Sequence, residues 1–256
     1  MSQLPMRANL KNNKGDQQSR NERHTFVLVH GGWCGGWIWR YVAPALRERG
    51  HVVTTPTLTG LGERRHSENR TATLSTHIED IVAHIEMEGF QDVILVSQSY
   101  GGMVATGTLA RIPDRIRSMI YLDAFVPEDG KSLVDCVTSH LKADFVIYKD
   151  EDRPIPPLPL SYLGITDPAL VEFMTPRLVN QPSLFEPVKV IPRPAHVRMS
   201  YVRCTNSVGD HFDRIMERMT LDPNVQTATI DTTHLCMLTV PEVTVKTILD
   251  LEEISE

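Results

Sequence analysis

The stretch DVILVSQSYGGMVATGTL, Asp92 to Leu109, decides how the rest of the chain is read. Val93 to Val96 form a continuous apolar run of the kind that is buried on both faces of a parallel sheet. Ser97 to Gly102 follow, small residues around the bulkier Gln98 and Tyr100, and then Met103, Val104, Ala105, Leu109 and Ala110 recur at helical spacing. The order is strand, sharp turn, helix. A serine at the apex of such a turn is held in strained backbone with its hydroxyl exposed above the sheet, in the pattern G-x-S-x-G. Here Ser97 replaces the first glycine. Strand and helix approach closely there, and serine is the next size up. The pattern is S-x-S-x-G and Ser99 is the candidate nucleophile. A glycine-rich strand-to-helix turn without chemistry carries the same five residues, so the decision rests on the rest of the chain.

Upstream, the apolar run Thr25 to Val29 ends in His30-Gly31-Gly32-Trp33. Glycines after a strand let the backbone turn an N–H toward a developing oxyanion. Gly32 N–H and Tyr100 N–H are the candidate oxyanion donors, with Gly31 and Trp33 beside them as candidate substrate-binding residues. Trp37 and Trp39 read as packing residues. Tyr41 to Arg49 is a helix closed by Gly50, and His51 to Thr55 is a strand. Leu58 to His66 is a glycine-punctuated loop at the carboxyl edge of the sheet, its Glu63-Arg64-Arg65 run a solvated face. Ser75 is the expected cap of a helix carrying Ile78, Ile81, Val82 and Ile85 and ending at Gly89. His77 and His84 read as packing or exposed histidines.

Downstream, Ser118 to Leu122 is a strand ending in Asp123. From Pro127 to Pro194 the sequence turns irregular and proline-rich, with helical pieces such as Pro168 to Met174 behind Asp167. It reads as a cap inserted between two strands over the nucleophile. Strands resume at Val197 to Cys204 and Val225 to Ile230, with an amphipathic helix near Phe212 to Met219 between them. The last strand opens into Asp231-Thr232-Thr233-His234, and Thr239 is the expected cap of a final helix starting at Pro241. Strands alternating with helices predict a mostly parallel sheet with right-handed crossovers.

A serine nucleophile needs a base, and the base needs an acid that fixes its tautomer. His234 follows the last strand and is the candidate base. The order nucleophile, acid, histidine then leaves two places for the acid. After the strand Val197 to Cys204 only Asp210 and Asp213 are near, and both come late. Asp123 stands directly at the end of the strand that follows the nucleophile, and is preferred.

The 256 residues, 41% hydrophobic, can bury a sizeable core. A net charge of −6 without a basic stripe argues against nucleic acid as a partner. No run is long enough for a membrane span. Met1 to Arg23 is polar, lacks an apolar secretory core, and reads as a disordered lead-in. Cys34, Cys136, Cys204 and Cys236 are far apart, which fits reduced thiols and a cytoplasmic setting better than a disulfide frame or a zinc site.

The segments FVLVHGGWCGGWIW, SQSYGGM, YLDAFVPEDG, NQPSLFEP, YVRCT and THLCMLTVPE together resemble one α/β-hydrolase subfamily, that of plant methylesterases, plant hydroxynitrile lyases and bacterial salicylate-esterase-like proteins. The resemblance runs from Phe26 to Ile248 and implies an α/β-hydrolase fold with a mainly helical cap. The expected organisation is a core of residues 24–126 and 195–256, with the cap at 127–194. By position it carries over Ser99, His234 and the N–H groups of Gly32 and Tyr100. It departs at the acid. Plant members keep a C-T-E-D run where this chain has Cys204-Thr205-Asn206-Ser207, so the carboxylate has moved to Asp123.

The implied activity is hydrolysis of a small ester or lactone, hydrophobic or aromatic in part, through an acyl-enzyme on Ser99. It needs no cofactor and no metal. Two alternatives stand beside it. One is a lyase acting on a cyanohydrin, against which Gly31 and Leu235 replace the threonine and lysine of plant lyases. The other is a non-catalytic ligand-binding protein on the same fold. A homodimer is left open.

Overall fold

Phe26 and Leu28 on one side of their strand, and Val27 and Val29 on the other, are all fully buried, so both faces of the sheet have to be covered. The computed structural model describes residues 23–66 and 72–253 and answers that demand with two layers of helix. The expected N-terminal lead-in, Arg23 apart, lies outside the described residues. The strands are β1 (Thr25–Val29), β2 (Val52–Thr54), β3 (Val93–Gln98), β4 (Ile116–Leu122), β5 (Arg198–Cys204) and β6 (Val225–Ile230). They form one sheet in the order β2-β1-β3-β4-β5-β6 with every neighbouring pair parallel. Helices α1 (Val42–Glu48), α8 (Cys236–Thr239) and α9 (Pro241–Leu251) share one core with Phe26, Leu28, Ile94 and Val96. Helices α2 (Leu74–Met87), α3 (Gly101–Arg111) and α7 (Asp210–Thr220) share the other with Val27, Val29, Val93 and Leu95. Residues of one strand thus alternate between two cores with the period of two that a pleated strand imposes.

Three helix starts show local chemistry at work, and two correct the sequence reading. The cap of α2 is Thr73, not Ser75. The hydroxyl of Thr73 accepts the N–H of Thr76, and the Thr76 side chain returns a bond to the Thr73 N–H. Ser75 falls inside the first turn and donates instead to Glu186. Thr239 ends α8 rather than capping α9, which begins with Pro241 behind Val240; its hydroxyl meets Thr232 and the Leu235 carbonyl. Asp167 caps α6 (Pro168–Met174) by accepting the Leu170 N–H at 2.9 Å, as expected. Arg64, read as solvated, instead spans Asp80 at 3.0 Å and the Thr57 carbonyl at 2.8 Å, fastening its loop to α2.

Between β4 and β5 the chain forms α4 (Leu133–Cys136), α5 (Ser139–Asp150) and α6, with a two-residue antiparallel bridge between Ile155 and Gln181. Leu133, Leu141, Phe145 and Leu184 of this segment join the core of α2 and α3, and Ile165 and Met174 join the other core. The four cysteines are free. No helix among the described residues is long and apolar enough to cross a membrane.

Helix α3 is buried almost from end to end and lies hard against the sheet. A Cβ on Gly102 would run into the Phe125 carbonyl and stand 3.1 Å from the Phe125 N. Both are backbone atoms that cannot turn aside. Gly102→Ala is therefore expected to cost about 3 kcal/mol, the upper end of the usual overpacking range, measured as the loss of unfolding free energy in urea. A loss under about 1 kcal/mol would mean that the helix can lift from the Phe125 turn at little cost.

Candidate active site

The order β2-β1-β3-β4 sends the connection after β1 to one side and the connection after β3 to the other. A crevice opens between the carboxyl ends of two such strands, where open α/β sheets bind ligands. Val29 is paired with Ser97, so the His30-Gly31-Gly32 turn and the Ser99 turn leave the sheet side by side. Ser99 has φ 51°, the left-handed region that a side chain enters only when its surroundings impose it. The imposition comes from Gly101, whose added Cβ would lie 2.8 Å from the carbonyls of both Val29 and His30. No residue but glycine lets α3 start this close to β1. Ser97 is fully buried between β1 and β4.

The turn after β1 is held from both sides. The His30 ring donates from Nδ1 to the Gly31 carbonyl at 2.7 Å and accepts the Leu58 N–H at Nε2 at 3.1 Å. Burial pulls its pKa down to about 4, so it is neutral and can fill both roles. Gln181 Oε1 accepts the Trp33 N–H at 3.0 Å, and the Trp33 indole donates to the Ile155 carbonyl at 3.0 Å. A Cβ on Gly32 would come within 3.8 Å of the Tyr100 Cβ, which sets the two turns in contact. Among the described residues neither the Gly32 nor the Tyr100 N–H donates to a protein acceptor. The Tyr100 side chain points elsewhere. Its hydroxyl meets His77 Nδ1 at 2.8 Å while His77 Nε2 donates to the Thr59 carbonyl. His77 is thus a buried packing histidine that anchors the residue after Ser99.

Asp123 and His234 are joined directly, Oδ2 to Nδ1, at 2.8 Å. Asp123 takes φ 43°, a bend off the end of β4 that aspartate tolerates better than most residues. Its other oxygen accepts the Cys204 N–H at 3.1 Å and the Arg203 guanidinium at 2.9 Å. Burial alone would raise the Asp123 pKa, but the His234 hydrogen bond and the Arg203 charge outweigh it and hold the carboxyl below its ordinary range. The alternative carboxylates lie elsewhere. Asp210 is 67% exposed beside Arg214, and Asp213, also on the surface, pairs with Arg203 at 2.8 Å.

His234 Nε2 does not bond Ser99 in this structure. It meets Gln98 Nε2 at 3.0 Å, and the same amide nitrogen donates to the His234 carbonyl at 3.2 Å. A carbonyl partner fixes that end of the amide as the NH2 group, so Nε2 of the histidine is an acceptor and its proton is on Nδ1, toward Asp123. This is the tautomer that a general base acting on a serine requires.

Ser99, His234, Gly32, Trp33 and Tyr100 line one pocket. Much of the remaining wall is apolar, with Leu133, Leu141, Phe145 and Leu158 coming from the segment between β4 and β5. Gly31 is not part of the lining. Its place is covered by Gln98, whose Oε1 a Cβ on Gly31 would strike. Sequence reasoning passed over Gln98, Gln181, Arg203 and His211. Gln98 occupies a variable position of the serine motif, and the others approach the site only through the fold. Arg203 alone carried a signal, as a charged residue next to the carboxyl end of a core strand.

The described geometry can be set beside known proteins. A carbendazim-hydrolyzing esterase of Nocardioides sp. (strain SG-4G) is 59% identical over 109 residues, 43% of this chain and 45% of that protein. Polyneuridine aldehyde esterase of Rauvolfia serpentina is 33% identical over 118 residues, 45% of this chain and 44% of that protein. The matched stretches thus span just under half the length of these relatives. Among solved structures, an extracellular α/β-hydrolase from a Paenibacillus species, described as sharing structural and functional homology with tobacco salicylic acid binding protein 2, superposes with a TM-score of 0.78 at 24% identity. That superposition covers 89% of this chain and 98% of the other, and supports the fold. The model of the alpha/beta hydrolase family matches residues 26–247, most of the 256 residues, and the chain belongs to that family.

Proposed function

We propose that this protein is a serine hydrolase that cleaves a carboxylic ester or lactone of a small, partly aromatic substrate through an acyl-enzyme on Ser99. The observation that carries the proposal is the Asp123–His234 hydrogen bond at 2.8 Å, in the tautomer that leaves Nε2 free to accept a proton, beside a serine strained to φ 51°. In this reading His234 takes the Ser99 proton as the hydroxyl attacks the carbonyl. Asp123 orients the ring and stabilises the imidazolium. The N–H groups of Gly32 and Tyr100 receive the negative oxygen, and His234 then protonates the leaving alcohol. Water attacks the acyl-enzyme by the same route in reverse. Gln98 has to yield the lone pair of His234 Nε2 when Ser99 bonds it, and its second acceptor, the His234 carbonyl, gives it somewhere to remain. Residues 127–194 act as a cap whose apolar side chains, with Trp33, receive the hydrophobic part of the substrate. The esterase names of the partial relatives agree with this chemistry.

The lyase alternative has no comparable support. A threonine in place of Gly31 would collide with Gln98 Oε1 and stand 2.9 Å from the Ser99 Cβ, and Leu235 offers no cation for a leaving cyanide.

The test is active-site labelling. A p-nitrophenyl phosphonate should modify the protein once, with the adduct found on Ser99 by peptide mass spectrometry and lost in His234→Ala. Aryl acetates and aryl lactones should be hydrolysed by the unlabelled protein only. Labelling elsewhere, or full activity after stoichiometric labelling of Ser99, would overturn the assignment.

A further inference from the structure

Each polar group of Trp33 ends on the segment between β4 and β5, a part of the molecule that supplies no reacting group. The Trp33 N–H donates to Gln181 Oε1 at 3.0 Å, its carbonyl accepts the Val179 N–H at 3.0 Å, and its indole donates to the Ile155 carbonyl at 3.0 Å. Ile155 and Gln181 are themselves joined by both backbone bonds of their antiparallel bridge, at 3.0 and 2.8 Å. Each stands before a proline, Pro156 and Pro182, which biases it toward the extended backbone that a bridge needs. Trp33 has φ 61°, a left-handed conformation that a bulky residue keeps only under constraint.

Gly32 stands between this clamp and His30. The peptide that carries the Gly32 N–H is held at its other end, the Gly31 carbonyl, by the His30 ring at 2.7 Å. The following peptide is held at the Trp33 N–H by Gln181. Without a Cβ, Gly32 has little of its own to stop it turning between the two. Gln181 is fully buried, and its Nε2 has no partner among the described residues. An apolar filler of the same size would avoid the cost of that unpaired donor, so the oxygen end is what the position uses.

We propose that Gln181 is a positioning residue of the oxyanion hole. It holds the Gly32 N–H in its donating direction and ties that direction to the Ile155–Gln181 bridge, so that the hole is assembled only while the bridge is closed on the turn. This role deepens the proposed function and rests on it for the oxyanion, whereas the tie between bridge and turn stands apart from any reaction.

Two measurements separate these parts. Amide hydrogen exchange is followed by NMR on the unmodified protein. The N–H groups of Trp33, Ile155, Val179 and Gln181 should share one protection factor within about tenfold, because a single opening frees them together. Exchange at Trp33 about a hundredfold faster than at Gln181 would overturn the tie, with no variant needed. Phenyl acetate and its thiono analogue, O-phenyl thioacetate, are assayed on the unmodified protein and on Gln181→Met, which keeps the length and loses the acceptor. Sulfur accepts hydrogen bonds weakly, so the advantage of the oxygen ester reports the oxyanion donors. Gln181→Met should lower kcat on phenyl acetate by about tenfold to a hundredfold with KM within about threefold, less than the roughly 10²–10³ of losing a donor outright. Its preference for the oxygen ester should fall by the same factor. A loss of kcat with that preference unchanged would place the damage in the triad or in general stability, and would overturn the role. So would an unchanged kcat. Hydrolysis of neither ester by the unmodified protein would sink the esterase reading, and the clamp would stand or fall on the exchange rates.

Discussion

Ser99→Ala is expected to lower kcat for aryl-ester hydrolysis by about six orders of magnitude, close to 8 kcal/mol of transition-state stabilisation. In the proposed triad the serine, its base and the orienting acid act as one unit, so removing the nucleophile would remove the contribution of the others. The fold should be unaffected. The cost of φ 51° at residue 99 comes from having a Cβ at all, and serine and alanine both have one. Ser99 is also almost fully buried, and among the described residues its hydroxyl has no hydrogen-bond partner that alanine would strand. Initial rates on an aryl acetate and a thermal melt therefore give a clean reading. An unchanged melt with more than about 1% residual kcat would place the nucleophile elsewhere.

Asp123→Asn should keep the fold and lower kcat by about four orders of magnitude. Asparagine tolerates the left-handed φ of 43° at this bend, so the turn survives. The carboxamide can still accept from Arg203 and from the Cys204 N–H with its oxygen. Its other end then offers NH2 to His234 Nδ1, which drives the histidine proton to Nε2 and takes away the lone pair that Ser99 needs. Asp210→Asn is the control, since its side chain is two-thirds exposed and pairs with Arg214. It should change kcat by less than about tenfold. A large loss in Asp210→Asn with little in Asp123→Asn would move the acid to the loop after β5.

The parts of this molecule that follow short-range rules were legible in the sequence. The strand-turn-helix around Ser99 was one, because an apolar run, small residues and a helical period leave few alternatives. The preference for Asp123 over Asp210 rested on a similar argument, that a strand end fixes a carboxylate and a loop does not; Asp123 lies 2.8 Å from His234. What escaped were contacts that depend on where distant segments meet. Thr73 caps the helix through its reciprocal bonds with Thr76, while Ser75 engages Glu186, 111 residues beyond it. Gln98 reaches His234 across 136 positions, and Gln181 reaches Trp33 across 148. No window of sequence contains such pairs. Helix α5 was missed inside a segment read as irregular, because four of its apolar residues, Phe145 to Tyr148, run consecutively instead of recurring at helical spacing.

One guanidinium nitrogen of Arg203 bonds both Asp123, at the end of β4, and the hydroxyl of Ser207, at the position where plant members of the subfamily keep their acid. The counter-charge for the acid is therefore placed between the two addresses, within reach of either. A carboxylate introduced at residue 207 would meet a cation already positioned for it, shared with Asp123.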